Sequence, residues 1–175
     1  SWSWDAYEGK KAEVEVYTRS EKVELYLNGK LKAAKKRGKD CRLIFKIKYE
    51  PGELTAVAYD KGAETARYSL KTAEKQTILS LSAEKVVKKG DVAFVNIAFT
   101  DKNGTVKPLE RGIVKIDVKG GELLALGNAC SYNEIGYCEN YTDTYYGRAL
   151  AVIKKTGDEC VVSASCNEKS SKISL

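Results

Sequence analysis

The chain has 175 residues, of which 43% are hydrophobic and 31% charged, and its formal net charge is +6 at pH 7. This composition is ordinary for a globular protein, and no apolar run approaches the roughly 18 residues that indicate a membrane span. The sequence contains no methionine, so we expect a processed or excised piece of a longer protein whose targeting segment lies elsewhere.

Six short strands are predicted in the first half, because apolar and charged residues alternate there with a period of two. Val14 and Val16, for example, alternate with glutamates, a pattern typical of antiparallel sheets with one packed face. Asn28-Gly29 follows an alternating strand and is the strongest signal in the chain for a tight β-hairpin. The predicted strands cover residues 12–18, 22–27, 30–35, 42–49, 54–60 and 64–70.

The third predicted strand opens a basic stretch, because residues 30–39 hold six lysines or arginines and no acidic residue. A phosphate-binding patch is one interpretation, but no aromatic residue is interleaved for base stacking. We favour a solvated hairpin arm whose lysines discourage edge-to-edge strand pairing. We therefore expect no nucleic-acid partner and, since no apolar run is long enough to span a membrane, no membrane partner.

A polar segment without periodicity, residues 71–76, follows the sixth strand. We place the domain boundary there, which gives domains 1–73 and 74–175. No segment of ten or more residues shows the 3.6-residue period of an amphipathic helix. The sequence therefore predicts an all-β protein with two tandem immunoglobulin-like β-sandwich domains. The second domain has predicted strands at residues 78–82, 92–100, 113–118, 123–126, 148–155, 159–165 and 172–175.

Residues 127–147 interrupt this rhythm as a connection of about 20 residues, longer than most loops. The connection is rich in aromatic residues, which argues against disorder. Two interpretations stay open: the loop covers one end of the second sandwich and buries its own rings, or it binds carbohydrate or another surface. Its tyrosines, five of the eleven in the chain, are Tyr132, Tyr137, Tyr141, Tyr145 and Tyr146.

Five cysteines leave at least one thiol without a partner in the chain. Cys160 and Cys166 share an apolar strand face and are predicted to be small buried hydrophobes. Cys130 and Cys138 lie in the polar loop and could close a small disulfide ring, depending on the compartment. No His and no Cys-x-x-Cys pair occurs, and residues 101–104 resemble a turn rather than a calcium loop, so we expect no metal and no cofactor.

The first half contains stretches that resemble a known enzyme family. Its motifs W-x-W, E-G, V-x-V-Y-T and V-E-L-Y-L-N-G-K resemble the segment just after the catalytic barrel in bacterial family 2 glycoside hydrolases. These are the β-galactosidase-like and β-glucuronidase-like enzymes, where that segment opens an immunoglobulin-like domain. The similar stretches are residues 2–10, 14–18, 23–30, 49–60 and 68–73, with residues 121–128 and 147–152 resembling a further C-terminal domain.

The resemblance implies little chemistry for the chain itself. The family hydrolyses glycosides with retention, using two glutamates about 5–5.5 Å apart on a (β/α)₈ barrel, which we expect to precede Ser1. No acidic residue sits in a matching motif, so no catalytic residue is carried over and we expect this fragment not to be an enzyme. The implied role is a non-catalytic C-terminal accessory region that packs against or spaces the barrel, in a bacterial protein expected in the periplasm or outside the cell.

Two alternatives to this role stay open. A carbohydrate-binding module would act through the tyrosine-rich loop on an oligosaccharide, with Trp2 and Trp4 as further stacking platforms. For both tryptophans we favour a linker anchored against the barrel, since aromatic residues are common in buried interfaces. The other alternative is a bacterial surface adhesion module of tandem sandwiches. Residues 129–134 depart from the family pattern, so no loop function is carried over from the resemblance.

Overall fold

A computed structural model describes residues 1–84 and 88–175, and the chain divides into unit 1, Ser1–Thr72, and unit 2, Ala73–Leu175. This division lies one residue before the boundary that we place from the sequence. No helix occurs among the described residues, and none is therefore long and apolar enough to cross a membrane. The prediction of an all-β chain with two tandem immunoglobulin-like sandwiches is confirmed.

Unit 1 pairs a four-stranded antiparallel sheet, in the order β3-β2-β5-β6, with a two-stranded sheet of β1 and β4. The alternating apolar residues of β2, Val23, Leu25 and Leu27, pack with Leu43 and Phe45 of β4 in the core between the sheets. The strands are β1 (Lys11–Tyr17), β2 (Lys22–Leu27), β3 (Lys30–Lys36), β4 (Arg42–Lys48), β5 (Glu53–Asp60) and β6 (Ala63–Lys71).

The predicted hairpin joins β2 to β3 through a two-residue turn. Asn28 and Gly29 have φ angles of 52° and 74°, the combination that a type I′ turn requires. Leu27 pairs with Lys30 directly across it. The basic strand β3 therefore lies at the edge of its sheet, where its lysines face solvent as the sequence predicts.

Unit 2 consists of two four-stranded antiparallel sheets, β10-β12-β8-β7 and β11-β9-β13-β14. The strands are β7 (Ile78–Ala83), β8 (Val92–Thr100), β9 (Ile113–Lys119), β10 (Gly121–Gly127), β11 (Tyr141–Asp143), β12 (Arg148–Lys155), β13 (Val161–Cys166) and β14 (Lys169–Ser174). Strand β11 is not predicted from the sequence, because it is three residues long and lies inside the tyrosine-rich loop.

Two cysteines belong to the core of unit 2. Cys160 and Cys166 are buried with the apolar residues between the sheets, so the prediction that they act as small hydrophobes is confirmed. A Cβ on Gly121 would lie 2.7 Å from the Cys160 sulfur, and one on Gly112 would lie 2.5 Å from the Cys166 sulfur. Burial also raises the pKa of the Cys160 thiol, which keeps it protonated and unreactive.

Candidate functional site

The tyrosine-rich loop is fixed to the body of unit 2 at several points. The Leu126 amide donates a hydrogen bond to the Tyr137 carbonyl at 2.8 Å. The Asn128 side-chain amide donates to both the carbonyl and the carboxylate of Asp143, at 3.1 and 2.6 Å, and its oxygen accepts from the Cys130 amide at 2.8 Å. The loop is therefore an ordered structure with its own short strand, β11.

The loop ends in a tight turn that carries two aromatic rings. Tyr145 and Arg148 exchange backbone hydrogen bonds of 2.9 and 3.1 Å, while Tyr146 and Gly147 have φ angles of 48° and 71°. A type I′ turn normally takes Asn or Gly at these positions, so an aromatic residue there is strained. The two tyrosine rings pack edge to face, with centroids 4.6 Å apart and planes at 67°.

The loop overhangs a pocket on the outward face of the β10-β12-β8-β7 sheet. Its volume is about 510 Å³, within the roughly 300–1,000 Å³ range of small-molecule sites. Outward-facing side chains of the sheet form the floor, and tyrosines of the loop form one wall. The lining residues that matter below are Asn96, Leu150 and Val152 on the floor, Tyr137, Tyr145 and Tyr146 on the wall, and Arg148 at the turn.

The five loop tyrosines named from the sequence separate into two groups. Tyr137, Tyr145 and Tyr146 line the pocket, whereas Tyr132 and Tyr141 do not. Tyr132 is 90% exposed and Tyr146 is 52% exposed. The interpretation that the loop buries its own rings is therefore wrong, because its backbone is fixed to the sheet while most of its rings face solvent.

Two polar side chains at the pocket have no partner among residues 1–84 and 88–175. Arg148 and Asn96 form no side-chain hydrogen bond and no ion pair with any described residue. Arg42 and Arg67, by contrast, each pair with a glutamate, Glu15 and Glu64 respectively. The Tyr146 phenol beside it and partial burial raise the pKa of Tyr145, so that hydroxyl is a neutral donor at neutral pH.

Sequence reasoning missed the residues that the strands contribute to this pocket. Leu150 and Val152 lie on the face of β12 opposite to its buried residues Ala149 and Ala151. Apolar residues on both faces of one strand were the available signal, because an antiparallel strand with a free outer face is usually polar there. Arg148 carried no sequence signal beyond its place at the end of the loop.

The two cysteines of the loop, Cys130 and Cys138, are free thiols in this structure. The small disulfide ring that the sequence allowed is therefore not formed here. Among the described residues, no group of three or more His, Cys, Asp or Glu side chains is placed to hold a metal ion.

Trp2 and Trp4 lie in unit 1, in the segment before β1, which is hydrogen-bonded to the sandwich. Trp2 is 5% exposed; its indole donates to the Glu50 carbonyl and its amide to the Lys71 carbonyl, both at 2.9 Å. Its ring lies 5.0 Å from that of Tyr49. A sugar platform and an anchor on another domain both need an accessible ring, and the Trp2 ring instead belongs to the core of unit 1. Trp4 is half-buried beside it.

Comparison with known proteins gives two family matches. Residues 79–173, more than half of the chain, match the model described as glycoside hydrolase family 2 C-terminal domain 5. Residues 9–66 match a domain of unknown function, DUF4982.

The similar proteins are much longer than this chain. The β-galactosidase BoGH2A of Bacteroides ovatus is 26% identical over 148 residues, which are 81% of this chain and 17% of that enzyme. A solved glycosyl hydrolase family 2 member from Bacteroides cellulosilyticus is 28% identical, with a TM-score of 0.90 over 99% of this chain and 25% of its own. A β-glycosidase from Bacteroides vulgatus, 24% identical with a TM-score of 0.88 over 99% of this chain and 23% of its own, shares the fold. This chain thus spans a quarter or less of each relative's length.

Proposed function

Because the chain belongs to the glycoside hydrolase family 2 C-terminal domain 5 family, we propose that it is a non-catalytic accessory region that packs against the catalytic barrel of its enzyme. The resemblance drawn from the sequence, to the C-terminal domains of β-galactosidase-like and β-glucuronidase-like enzymes, is confirmed by the family match and the similar proteins. The accessory role and the barrel as its partner are the proposal.

The observation that carries the proposal is an uncovered strip of the sandwich in unit 1. A four-stranded sheet faces a sheet of only two strands, which leaves part of the inner face of the larger sheet without a strand opposite it. Tyr68 and Leu70 pair with Ala56 and Leu54 of β5, and that row faces the core. Tyr68 is nevertheless 73% exposed.

This strip borders a groove, which we call the open side of unit 1. The groove has a volume of about 290 Å³, and its lining is mostly apolar. Burying a large apolar side chain such as Tyr68 stabilises an interface by about 1.5–3 kcal/mol. Since this chain spans a quarter or less of the length of its relatives, we assign the open side to contact with the barrel. The lining residues are Val14, Glu15, Val16, Tyr17, Leu25, Leu54, Ala56, Tyr68 and Leu70.

One pocket of unit 1 contains two carboxylates, and one of them is unsuited to the role of general acid. A pocket of about 540 Å³ on unit 1 holds two glutamates, Glu21 and Glu24, the number that a retaining glycosidase needs. The Lys22 ammonium, 2.6 Å away, and then the Tyr26 hydroxyl lower the pKa of Glu24. A general acid in such an enzyme needs a raised pKa. Glu24 therefore does not meet the requirement for the general acid.

The open side is tested with Tyr68→Ser in two settings, this chain alone and the full enzyme encoded by its reading frame. In the chain alone the exposed ring contributes little, so we expect a change in unfolding free energy within about 0.5 kcal/mol. In the full enzyme we expect a loss of about 1.5–3 kcal/mol, because the ring is then buried against the barrel. Thermal and urea unfolding measure both.

Tyr132→Ser is the matched control, since Tyr132 is exposed and lies outside both the groove and the pocket. We expect Tyr132→Ser to leave the unfolding free energy of both the chain alone and the full enzyme unchanged. An equal effect of Tyr68→Ser in the chain alone and in the full enzyme would contradict packing through the open side.

A further inference from the structure

The pocket of unit 2 is separate from the open side of unit 1, and the accessory role leaves it unused. Among the residues that the structure describes, Arg148 is the one charged residue in its lining, and none of them there is acidic. An arginine without a partner beside apolar and aromatic side chains attracts an anion. Its planar fork of N–H donors matches a carboxylate or a phosphate with two parallel hydrogen bonds.

The aromatic and apolar residues of the lining determine which kind of anion fits the pocket. Tyr137, Tyr145 and Tyr146 present ring surface along one wall, and Leu150 and Val152 form an apolar floor. An inorganic anion gains nothing from such surfaces, whereas the C–H face of a pyranose ring packs on aromatic and apolar side chains. The unpartnered amide of Asn96 and the neutral Tyr145 hydroxyl offer hydrogen bonds to sugar hydroxyls.

The turn that holds the rings is rigid where a ligand would meet it. Backbone hydrogen bonds join Tyr145 to Arg148 in both directions, so the backbone that carries Arg148 and the two edge-to-face rings is fixed. A Cβ on Gly147 would lie 2.3 Å from the Lys107 carbonyl, which fixes the turn on the segment beneath it. Tyr146 has a strained φ of 48° and lines the pocket, and backbone strain of this kind is concentrated at functional sites.

We propose that this pocket binds a uronic acid residue of a glycan, with Arg148 contacting the carboxylate and the Tyr145–Tyr146 pair packing on the sugar ring. The ligand class is an acidic saccharide because the lining combines one unpaired cation with ring-stacking surfaces. This site goes beyond the accessory role and does not depend on it.

The test uses two probes that share one backbone, trigalacturonate and its fully methyl-esterified form, titrated calorimetrically into the whole chain. The ester keeps every hydroxyl and removes the charges. We expect saturable binding of the acid and at least about tenfold weaker binding of the ester, the effect of losing a charge-assisted bidentate contact.

Three variants locate the site. Arg148→Gln is expected to weaken binding of trigalacturonate about tenfold or more, and Tyr146→Asn, which keeps a residue suited to the turn, to weaken it through loss of the ring. Lys154→Gln is the control, because it removes the same charge from the same strand outside the pocket. Unfolding curves check that each variant is folded.

The variants distinguish binding in this pocket from binding elsewhere on the chain. Weaker binding by Arg148→Gln and Tyr146→Asn, with Lys154→Gln unchanged, supports the site. No saturable binding of trigalacturonate, equal binding of acid and ester, or an unchanged Kd in Arg148→Gln would overturn it. Equal weakening by Lys154→Gln would also overturn it, since the acid would then bind through net charge alone. None of these results alters the open-side test, because Tyr68 lies in the other unit.

Discussion

At the scale of single residues, Asp101 stabilises a turn of unit 2 through its side chain. Asp101 is 1% exposed, and its carboxylate accepts the backbone amides of Glu74, Asn103 and Thr105, each at 2.9 Å. Burial opposes ionisation, but these backbone hydrogen bonds outweigh it and lower the pKa of Asp101. The turn predicted at residues 101–104 is thus stabilised by the Asp101 carboxylate, whose oxygens are engaged by backbone amides of the chain itself.

Asp101→Ala removes the acceptor of three amides, so we expect it to lower the unfolding free energy of unit 2 by about 2–4 kcal/mol at pH 7. Because the folded pKa lies below the unfolded value of about 3.9, the ionic contribution is fully present above that value. It is lost as pH falls through the folded pKa. Urea unfolding at pH 7 and pH 3 measures this, and the difference between wild type and Asp101→Ala should shrink at pH 3.

Asp158→Asn is the control for Asp101, because Asp158 is exposed and has no hydrogen bond to the part of the chain that the structure describes. It should be neutral at both values of pH. A constant difference between wild type and Asp101→Ala across this range would show that the carboxylate is not ionised in the fold.

At the scale of elements, the segment before β1 behaves as part of the sandwich of unit 1. The Trp2 carbonyl accepts hydrogen bonds from the hydroxyls of Tyr49 and Thr72, while its amide donates to the Lys71 carbonyl at the end of β6.

We expect Trp2→Ala to lower the unfolding free energy of unit 1 by about 3–5 kcal/mol, the cost of emptying a large buried site. Trp4→Ala, at a half-buried ring, should cost clearly less. Denaturant unfolding followed by tyrosine fluorescence compares the two, and equal small losses would show that the segment is only loosely attached.

The sequence predicts elements whose signals are local. Alternation of Val23, Leu25 and Leu27 indicates strand β2 and its packed face, and Asn28-Gly29 indicates the turn that follows. Strand β11 escapes prediction because its three residues form a strand only by pairing with β9, far away in the sequence. The strand depends on tertiary structure, and no local sequence pattern predicts it.

The candidate site shows the same limit. Its tyrosines are visible in the sequence as an aromatic cluster, but Asn96, Leu150 and Arg148 join them only because β12 pairs with β8. Which strands become neighbours depends on the sandwich topology. Trp2 shows the opposite kind of error. Its sequence context suggests a ring on the surface, but the ring is buried in the core of unit 1.

At the scale of the whole molecule, each unit carries a surface that its own fold leaves without a partner. Unit 1 has the open side beside Tyr68, and unit 2 has the pocket with an unpaired Arg148. The two proposals assign these surfaces to different occupants, a protein domain and an acidic saccharide. Among the described residues that line them, neither surface contains a pair of carboxylates. Both proposals treat the chain as a binding and packing region without hydrolytic chemistry of its own.

The absence of hydrolytic chemistry is tested most directly by incubating the purified chain with chromogenic β-galactosides and β-glucuronides, with a known β-galactosidase added to parallel wells as the positive control. The account predicts release of chromophore at the rate of buffer alone, at every protein concentration. Hydrolysis that rises in proportion to the chain and stops with a glycosidase inhibitor would contradict it.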